Sequence, residues 1–431
     1  MVVSELTEQP AEDATSGTDA CSAILLIAYH FPPDASSTGR LRTLGFARHL
    51  PAHGWRPVVL APTPRAYERV DVQGLSDVPA DLPVYRTPAI DARRHLGWRG
   101  KYSALTAVPD RWVSWWPTAV ARGLALIRRH RVRVIWSTYP IGTTHLVALT
   151  LSRITGLPWI ADFRDPVVPA GTALQQRAMK SIERRTMDCA KAVVFTTPGA
   201  RASYARRFPA LADAGRLHVI PNGFEDESLA TIAAPPNPTE RDVVKLVHSG
   251  LLYPKGRNPE PFFEALSQLK RDGVVGSTRL RVTLRASGSE DIYQRMVETL
   301  DITDMVDLAP PIPYQDALAE QAAAHGLLLF QGTEFNAQIP AKIFEYLRIG
   351  RPVFALIGAG GDTAALLDET GGAAVAPIDD AQAIADKLRV FLGQIRAAQQ
   401  PSVDERALAR YTRSAGTAKL AGLAREIELC D

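Results

Sequence analysis

Residues 23–62, AILLIAYHFPPDASSTGRLRTLGFARHLPAHGWRPVVLAP, contain a strand, a loop, a helix and a second strand in that order. The run 23–29 is apolar, rich in branched residues and too short for a helix, so it predicts a buried strand. The helical stripe from Leu41 to Leu50 ends near Gly54, and PVVLAP follows as the next strand. This stretch indicates a βαβ unit and therefore a parallel sheet.

The same alternation continues through the first half of the chain. Strands are predicted at 132–138, 157–163 and 192–197, with helices at 143–155 and 173–189 between them. The pattern predicts an α/β fold, a doubly wound parallel sheet spanning 23–220.

A linker is predicted at 221–242, because the pattern breaks at LHVIPNGF and the Pro-rich, polar AAPPNPTE follows. Short strands then recur, which predicts a second Rossmann-like sheet over 243–400, and amphipathic helices are expected over 401–431. The predicted strands lie at 243–250, 280–288, 305–313, 326–332 and 352–358. Two such domains imply a cleft, and ligands of open parallel sheets bind outside the carboxyl ends of the strands.

Composition places the chain among ordinary globular proteins. Of its 431 residues 46% are hydrophobic and 22% are charged, which argues against wholesale disorder, collagen and coiled coil. Residues 1–22 carry five acids and no Lys or Arg, so we expect a disordered acidic tail, no basic-headed signal peptide and a cytoplasmic location. The three cysteines are far apart in sequence, so neither a disulfide framework nor a metal site is implied.

The net charge of +3 hides an asymmetry. Residues 23–210 hold 27 Lys and Arg against 11 Asp and Glu, whereas residues 211–431 hold 22 against 30. A basic first half suggests an anionic partner there, and a phosphorylated acceptor, a membrane surface and nucleic acid all remain open from charge alone.

The most specific segment is FNAQIPAKIFEYLRIGRPVFALIG, residues 335–358. A helix is predicted to begin after Pro340 and to end at Gly350, before a strand. Lys342 and Glu345 then share one face near the helix start, where free N–H groups attract anions such as a diphosphate, and the carboxylate could accept ribose hydroxyls. The other interpretation is a solvated ion pair three residues apart.

This segment resembles the nucleotide-sugar motif "KxxEYxxxGxPV" of glycosyltransferase family 4, whose members have the GT-B fold. The resemblance implies that Glu345 holds the ribose of the donor, although Ala337 stands where many members have a first acid. It implies a donor-binding set that also includes Pro340 and Ile312. No cofactor is implied besides the nucleotide-diphosphate sugar itself, which is the donor substrate.

A second segment, LVHSGLLYPKGRNPEPFFEAL at 246–266, is predicted as strand, glycine turn, basic loop and helix. That order would bring the Gly250 N–H and Lys255 or Arg257 against a phosphate. It resembles the "GRxxxxKG" element of the family, with Leu251 where Arg is usual. We therefore assign the phosphate role to Arg257 first and Lys255 second; a basic surface loop is the alternative.

Two segments of the first half also resemble the family. FPPDASSTGRLRTL at 31–44 resembles its first glycine loop, in which Gly39 would allow a ligand close to the backbone, or would serve only a tight turn.

The second segment, 136–166, resembles a "glycosyltransferase 4-like" branch and contains IADFRDP. The acceptor-side candidates are Ser137, Thr138 and Arg164. Asp165 could orient the acceptor hydroxyl, His145 is the nearest histidine, and an internal pair between an Asp and an Arg is the alternative.

Four of the seven tryptophans, Trp98, Trp112, Trp115 and Trp116, lie among Arg and Lys in 93–116. Trp and basic residues together favour lipid head groups, so this segment is interpreted as a membrane-facing edge for a lipid-linked acceptor. Core tryptophans flanked by solvated arginines are the alternative. No nucleic-acid motif accompanies the segment, so no nucleic-acid partner is expected.

The resemblance implies a hexosyltransferase-type enzyme that moves a sugar from a nucleotide-diphosphate sugar to an acceptor hydroxyl. Transfer would be retaining and metal-independent, with Arg257 and Lys342 stabilising the departing diphosphate. The expected setting is bacterial polysaccharide or glycolipid synthesis, in the cytoplasm and peripherally at the inner face of the membrane. The alternatives are a GT-B protein that binds a nucleotide or glycan without transfer, and a GT-B sugar-nucleotide epimerase.

Overall fold

The computed structural model describes residues 21–37, 39–97, 103–164, 166–167, 171–225 and 243–429. The chain divides into two compact units. The first unit runs to Pro221 and takes up the chain again from Arg413, and the second unit is Asn222–Thr412. Most of the predicted linker, residues 226–242, and the predicted tail up to residue 20 lie outside the described residues.

The first unit is built on a parallel sheet with seven strands in its described part, in the order β3-β2-β1-β4-β5-β6-β7. Its strands are β1 (Ser22–Ile27), β2 (Trp55–Pro62), β3 (Val84–Thr87), β4 (Val132–Thr138), β5 (Trp159–Arg164), β6 (Ala192–Phe195) and β7 (Leu217–Val219). Its helices are α1 (Arg40–His49), α2 (Ala92–His95), α3 (Trp115–His130), α4 (Gly142–Thr155), α5 (Ala173–Cys189), α6 (Pro198–Arg207) and α7 (Pro209–Asp213).

The second unit has a six-stranded parallel sheet in the order β10-β9-β8-β11-β12-β13, counted over its described residues. Its strands are β8 (Val244–Ser249), β9 (Leu280–Arg285), β10 (Val306–Ala309), β11 (Gly326–Gln331), β12 (Val353–Ile357) and β13 (Ala373–Pro377). Its helices are α8 (Glu260–Arg271), α9 (Glu290–Thr299), α10 (Tyr314–Ala322), α11 (Lys342–Ile349), α12 (Asp362–Thr370), α13 (Ala381–Arg396) and α14 (Glu405–Ala409).

Both sheets are covered on both faces, which explains why central strands such as β1, β11 and β12 are apolar and buried along nearly their whole length. In β1, Ile24 and Leu26 face one core while Leu25 and Ile27 face the other. The last helix, α15 (Arg413–Leu429), returns to the first unit and packs Leu420 and its neighbours into the first of these cores. The predicted doubly wound parallel sheets are therefore confirmed.

Every strand predicted from sequence is present, but three further strands were not predicted. They are Val84–Thr87, Leu217–Val219 and Ala373–Pro377. All three lie at sheet edges and have three to five residues, so their apolar runs are too short to stand out from loops. Within the described ranges, no helix has the combined length and apolarity needed to cross a bilayer.

A buried ion pair joins several elements of the first unit. Arg42 on α1 donates from Nε to Asp162 Oδ2 at 2.8 Å and from NH2 to Oδ1 at 3.1 Å, and Asp162 is 0% exposed. The same guanidinium donates to the carbonyls of Ile220 and Pro221, at 3.0 and 2.9 Å. Thr138 at the end of β4 donates to Asp162 at 3.2 Å.

We predict that Asp162→Asn lowers the free energy of unfolding by about 3–5 kcal/mol, because it leaves the buried Arg42 cation without its counter-charge. Chemical unfolding measures the change. Asp213→Asn is the matched control, since Asp213 is exposed at the end of α7 in the same unit. Equal losses in the two variants would show that the buried pair has no special weight.

Candidate functional site

The strongest candidate site lies at the carboxyl end of β8 in the second unit. The strand order reverses between β8 and β11, and this switch point is where open α/β sheets bind ligands. Helix α11 follows β11 and places Lys342 there: its Nζ donates to Ser249 O at 2.6 Å and lies 3.5 Å from His248 Nε2. The predicted helix start after Pro340 and its end at Gly350 are confirmed.

Gly250 allows this approach of the lysine. Its φ is +112°, and a Cβ at this position would lie 2.9 Å from Lys342 Nζ. Its N–H donates to Arg285 O at 2.8 Å, so it is already engaged in the sheet and is not offered to a phosphate as the sequence suggested. The glycine thus contributes space and conformation rather than a hydrogen-bond donor.

The environment of Lys342 depresses its pKa. Burial lowers it first, the nearby Arg257 lowers it further and Glu345 opposes the shift, with the result that the pKa falls to about 7. The neighbouring His248 is 0% exposed and faces Leu328 O at 2.9 Å and Gly250 O at 3.0 Å, and burial together with Lys342 holds its pKa well below the usual value. An anion at this place would restore the favoured charge of Lys342.

The structure brings together the predicted residues Lys342, Arg257 and Glu345. The Arg257 guanidinium lies over the rings of Tyr253 and Phe335, 5.0 and 5.8 Å from their centroids, and donates to Leu251 O at 3.4 Å. Lys255 is exposed in the same loop, and Ile312 and Pro340 are partly buried.

Glu345 lies one turn beyond Lys342 and accepts a hydrogen bond from the Tyr314 hydroxyl at 2.7 Å. A carboxylate has about four acceptor positions and can accept from several hydroxyl groups at once.

Gln331 at the end of β11 shapes the loop that leads into α11, a role the sequence did not reveal. Its amide donates to Phe335 O at 2.6 Å and to Gln338 O at 2.8 Å, while its oxygen accepts from the Thr363 hydroxyl at 2.6 Å. Gln331 is 1% exposed, so these bonds satisfy its buried polar atoms and fix the path of the loop.

In the first unit, Gly39 and Arg164 lie together at the carboxyl edge of the sheet. A Cβ on Gly39 would come within 2.4 Å of the Arg164 guanidinium, so the glycine makes room for this arginine. Arg164 has a φ of +59° and donates to Tyr139 O at 3.4 Å. Asp165, the predicted acceptor-orienting residue, lies outside the described residues.

His145 and Ser137 form part of the interior. His145 Nδ1 lies 2.8 Å from Ser137 Oγ, which accepts from Trp159 Nε1 at 2.8 Å, and the two residues are 1% and 0% exposed. Burial lowers the pKa of His145 to about 3, so the imidazole is neutral. The assignments of His145 as catalytic and Ser137 as acceptor-binding are corrected to a structural role, because both side chains are buried in the interior and contact each other.

An internal pair between an Asp and an Arg, which was the alternative for this segment, is present, and it joins Asp162 to Arg42. Thr138, the other acceptor-side candidate, is 7% exposed and bonded to Asp162. Sequence analysis did not identify Arg42 as the partner, because it lies 120 residues from Asp162 along the chain.

The tryptophan-rich segment is mostly not an exposed belt. Trp115 is 0% exposed and donates to Thr87 Oγ1 at 2.8 Å, while Trp112 is partly buried beside Tyr29, with ring centroids 5.3 Å apart. Trp116 is 37% exposed, and Trp98 lies outside the described residues. For Trp115 the membrane-facing interpretation is wrong, because its indole fills the core.

Comparison with protein families matches residues 38–223 to the family described as "Glycosyl transferase 4-like domain". The match covers most of the first unit, and the resemblance to this family is confirmed for these residues. The resembling segments 246–266 and 335–358 lie outside the match.

Solved structures share the whole two-sheet architecture, which is the GT-B fold. The sucrose-phosphate synthase of Thermosynechococcus elongatus has a TM-score of 0.65 and 16% identity, covering 95% of this chain and 100% of its own. Anabaena HepE in complex with UDP has a TM-score of 0.61 and 14% identity, and the match covers 94% of this chain and 100% of the HepE chain. A UDP-N-acetylglucosamine 2-epimerase has a TM-score of 0.56 and 11% identity, and the match covers 93% of this chain and 94% of the epimerase chain. The comparison with curated proteins found no match.

We predict that the free energy of unfolding depends on pH in the way that the depressed pKa of Lys342 requires. A lysine near 10.5 when unfolded and near 7 when folded binds more protons in the unfolded state between these values, so its contribution to the free energy of unfolding rises with pH. Wild type should therefore gain stability relative to Lys342→Met as pH increases from 6 to 9.

The exposed Lys387 on α13 gives the control variant Lys387→Met, whose difference from wild type should not change with pH. If the difference in the free energy of unfolding between wild type and Lys342→Met stays constant across this pH range, the depressed pKa of Lys342 is contradicted.

Proposed function

We propose that this protein is a glycosyltransferase that moves a sugar from a nucleotide-diphosphate sugar to an acceptor hydroxyl. The observation that carries the proposal is the position of Lys342. Its Nζ, held 2.6 Å from Ser249 O at the switch point of the second sheet, lies in the field of Arg257 and one turn before Glu345. A partly desolvated cation beside a second cation is poorly stabilised by the protein alone, and a diphosphate supplies the missing negative charge.

The chemical task of such a site is stabilisation of the leaving group. As the bond from the sugar to the diphosphate breaks, negative charge grows on the diphosphate oxygens, and cations already in position stabilise that charge without reorganisation. Lys342 and Arg257 would do this, and Glu345 would accept ribose hydroxyls. Retention at the transferred carbon and independence from metal are part of the proposal and follow from the family resemblance.

The comparisons support the donor class. The first unit contains a glycosyl transferase 4-like domain, and the similar HepE structures contain UDP, in one case together with glucose. We therefore include UDP-sugars first among the donors to be tested. The likeness to an epimerase supports one second candidate, a change of configuration within the nucleotide sugar.

We predict that one nucleoside diphosphate among UDP, GDP, ADP and dTDP stabilises the protein against thermal unfolding. A ligand at a hundred times its Kd adds about 2.7 kcal/mol. Lys342→Ala and Glu345→Ala should abolish this shift without loss of fold, since both residues lie at a ligand-facing edge. Lys387→Ala and Glu264→Ala, at exposed positions of the same unit, should keep it.

Unchanged nucleotide affinity in both site variants would refute the donor site. Incubation of the protein with the matching nucleotide sugar, with and without a mixture of acceptors, then distinguishes transfer from epimerisation. A transferase releases nucleoside diphosphate only when the acceptor is present, whereas an epimerase converts the nucleotide sugar alone.

The finer part of the proposal is a lipid-linked or carbohydrate acceptor of polysaccharide or glycolipid synthesis, met at the inner face of a membrane. Exposed arginines support it: Arg128, Arg129, Arg131 and Arg133 follow one another at the end of α3 and the start of β4. Near an anionic lipid surface each such residue contributes about 1 kcal/mol of attraction.

We predict that Arg128→Glu together with Arg129→Glu weakens co-sedimentation with vesicles that contain anionic phospholipid. The control exchanges the exposed Arg271 and Arg295 of the second unit for Glu. If both double variants sediment as the wild type does, the membrane location is refuted.

A further inference from the structure

A small cavity opens at the carboxyl ends of β1, β2 and β3 in the first unit. Its volume is about 160 Å³. Since a water molecule occupies about 30 Å³ in the liquid, this space equals about five waters and suits one small ring rather than an extended chain. The lining residues are Tyr29, His30, Ser36, Ser37, Ala66, Tyr67, Glu68, Asp91, Arg111 and Trp112.

Aromatic rings form one wall of the cavity. Tyr29 contacts both Trp112 and Tyr67, with ring centroids 5.3 and 5.9 Å apart, and the Arg111 guanidinium lies 4.4 Å from the centre of the Trp112 ring. Tyr29 and Tyr67 are 2% exposed, so the wall is rigid. A rigid aromatic wall with a few polar groups is typical of small-molecule sites.

His30 lines the cavity and is oriented by a buried carboxylate. Its Nδ1 lies 2.5 Å from Oδ2 of Asp34, which is 0% exposed, and the other carboxylate oxygen accepts from the Ser36 N–H at 2.9 Å and the Ser36 hydroxyl at 2.5 Å. The carboxylate of Asp34 accepts, so His30 donates from Nδ1 and is held in one orientation by this bond. The Nε2 atom is then the ring nitrogen left to hydrogen-bond a ligand hydroxyl.

The charges around the cavity disfavour an anion. Arg111 is shared between Asp91 and Glu68, each 3.3 Å away, so one cation faces two carboxylates, with Asp34 behind His30. Burial raises the pKa of the Tyr29 hydroxyl, and Asp91 and Asp34 raise it further.

Two further guanidiniums of the region are engaged with backbone carbonyls. Arg86 donates to Pro62 O at 3.2 Å and also to Pro32 O, and Arg94 donates to Tyr67 O. The basic character of the first half of the chain is therefore not concentrated in this cavity.

We propose that this cavity binds an uncharged sugar ring of the acceptor, against the aromatic wall and with one hydroxyl hydrogen-bonded to His30 Nε2. The proposal rests on the proposed glycosyl transfer and specifies its acceptor: a neutral sugar ring rather than a phosphorylated or carboxylated one. It assigns acceptor selection to His30, Trp112 and the carboxylates, none of which the family resemblance had indicated.

The test is ligand-observed saturation-transfer NMR on the full chain. The probes are the methyl glycosides of glucose, galactose, mannose and N-acetylglucosamine, with glucose 6-phosphate as the charged counterpart. We expect at least one neutral glycoside to bind, its affinity to fall at least tenfold in His30→Gln and in Trp112→Leu, and glucose 6-phosphate to bind at least tenfold more weakly. His49→Gln on α1 is the matched control and should bind as the wild type does.

A charge-reversal variant keeps the proposal testable if His30→Gln does not fold. The Glu68 side chain is 64% exposed, so Glu68→Lys should be tolerated. It should shift the ratio of the two affinities at least tenfold towards glucose 6-phosphate, and an unchanged ratio would count against the proposed charge selection.

The proposal is overturned if no methyl glycoside binds, if glucose 6-phosphate binds as tightly, or if neither His30→Gln nor Trp112→Leu weakens binding. Stabilisation by nucleoside diphosphates is measured in the same samples. Its presence without glycoside binding refutes the acceptor cavity alone, and its absence refutes the donor site.

Discussion

The bidentate ion pair between Arg42 and Asp162 is the interaction on which the first unit depends. Two charges removed from water are tolerated only when each is fully hydrogen-bonded. Besides their mutual bonds, the Asp162 carboxylate accepts from the Thr138 hydroxyl, and the Arg42 guanidinium donates to the carbonyls of Ile220 and Pro221. One pair thereby fixes α1, the ends of β4 and β5, and the residues at which the chain leaves the unit. The carboxyl edge of the sheet is held rigid as a consequence.

The second unit solves a different electrostatic problem at its own switch point. Lys342 is held against Ser249 O, next to a buried neutral histidine and within the field of Arg257. The carbonyl dipole of Ser249 holds the ammonium in position without neutralising it, so the site suits a ligand that carries negative charge. The Gln331 bonds that shape the preceding loop and the positive φ of Gly250 are the structural conditions for this arrangement.

Polar and charged groups at the two carboxyl edges differ in a way that suits a transferase. The cavity of the first unit combines aromatic rings with a histidine oriented by a carboxylate, and the site of the second unit combines cations with one carboxylate. We propose a neutral sugar ring as the ligand of the cavity and a diphosphate as the ligand of the second site. Each chemistry stands on its own unit and can be tested there.

The sequence alone determined the α/β class, most strands and the helix that carries Lys342 and Glu345, because these are local properties: apolar runs, helical stripes and a Lys–Glu spacing within one helix. Only the tertiary structure decided that His145 is a core residue, that Asp162 pairs with Arg42, that the Gly250 N–H is already bonded and that α15 packs in the first unit. It also revealed the cavity around His30. These features depend on contacts between residues distant along the chain, and the periodicity of a single segment carries no information about its partner.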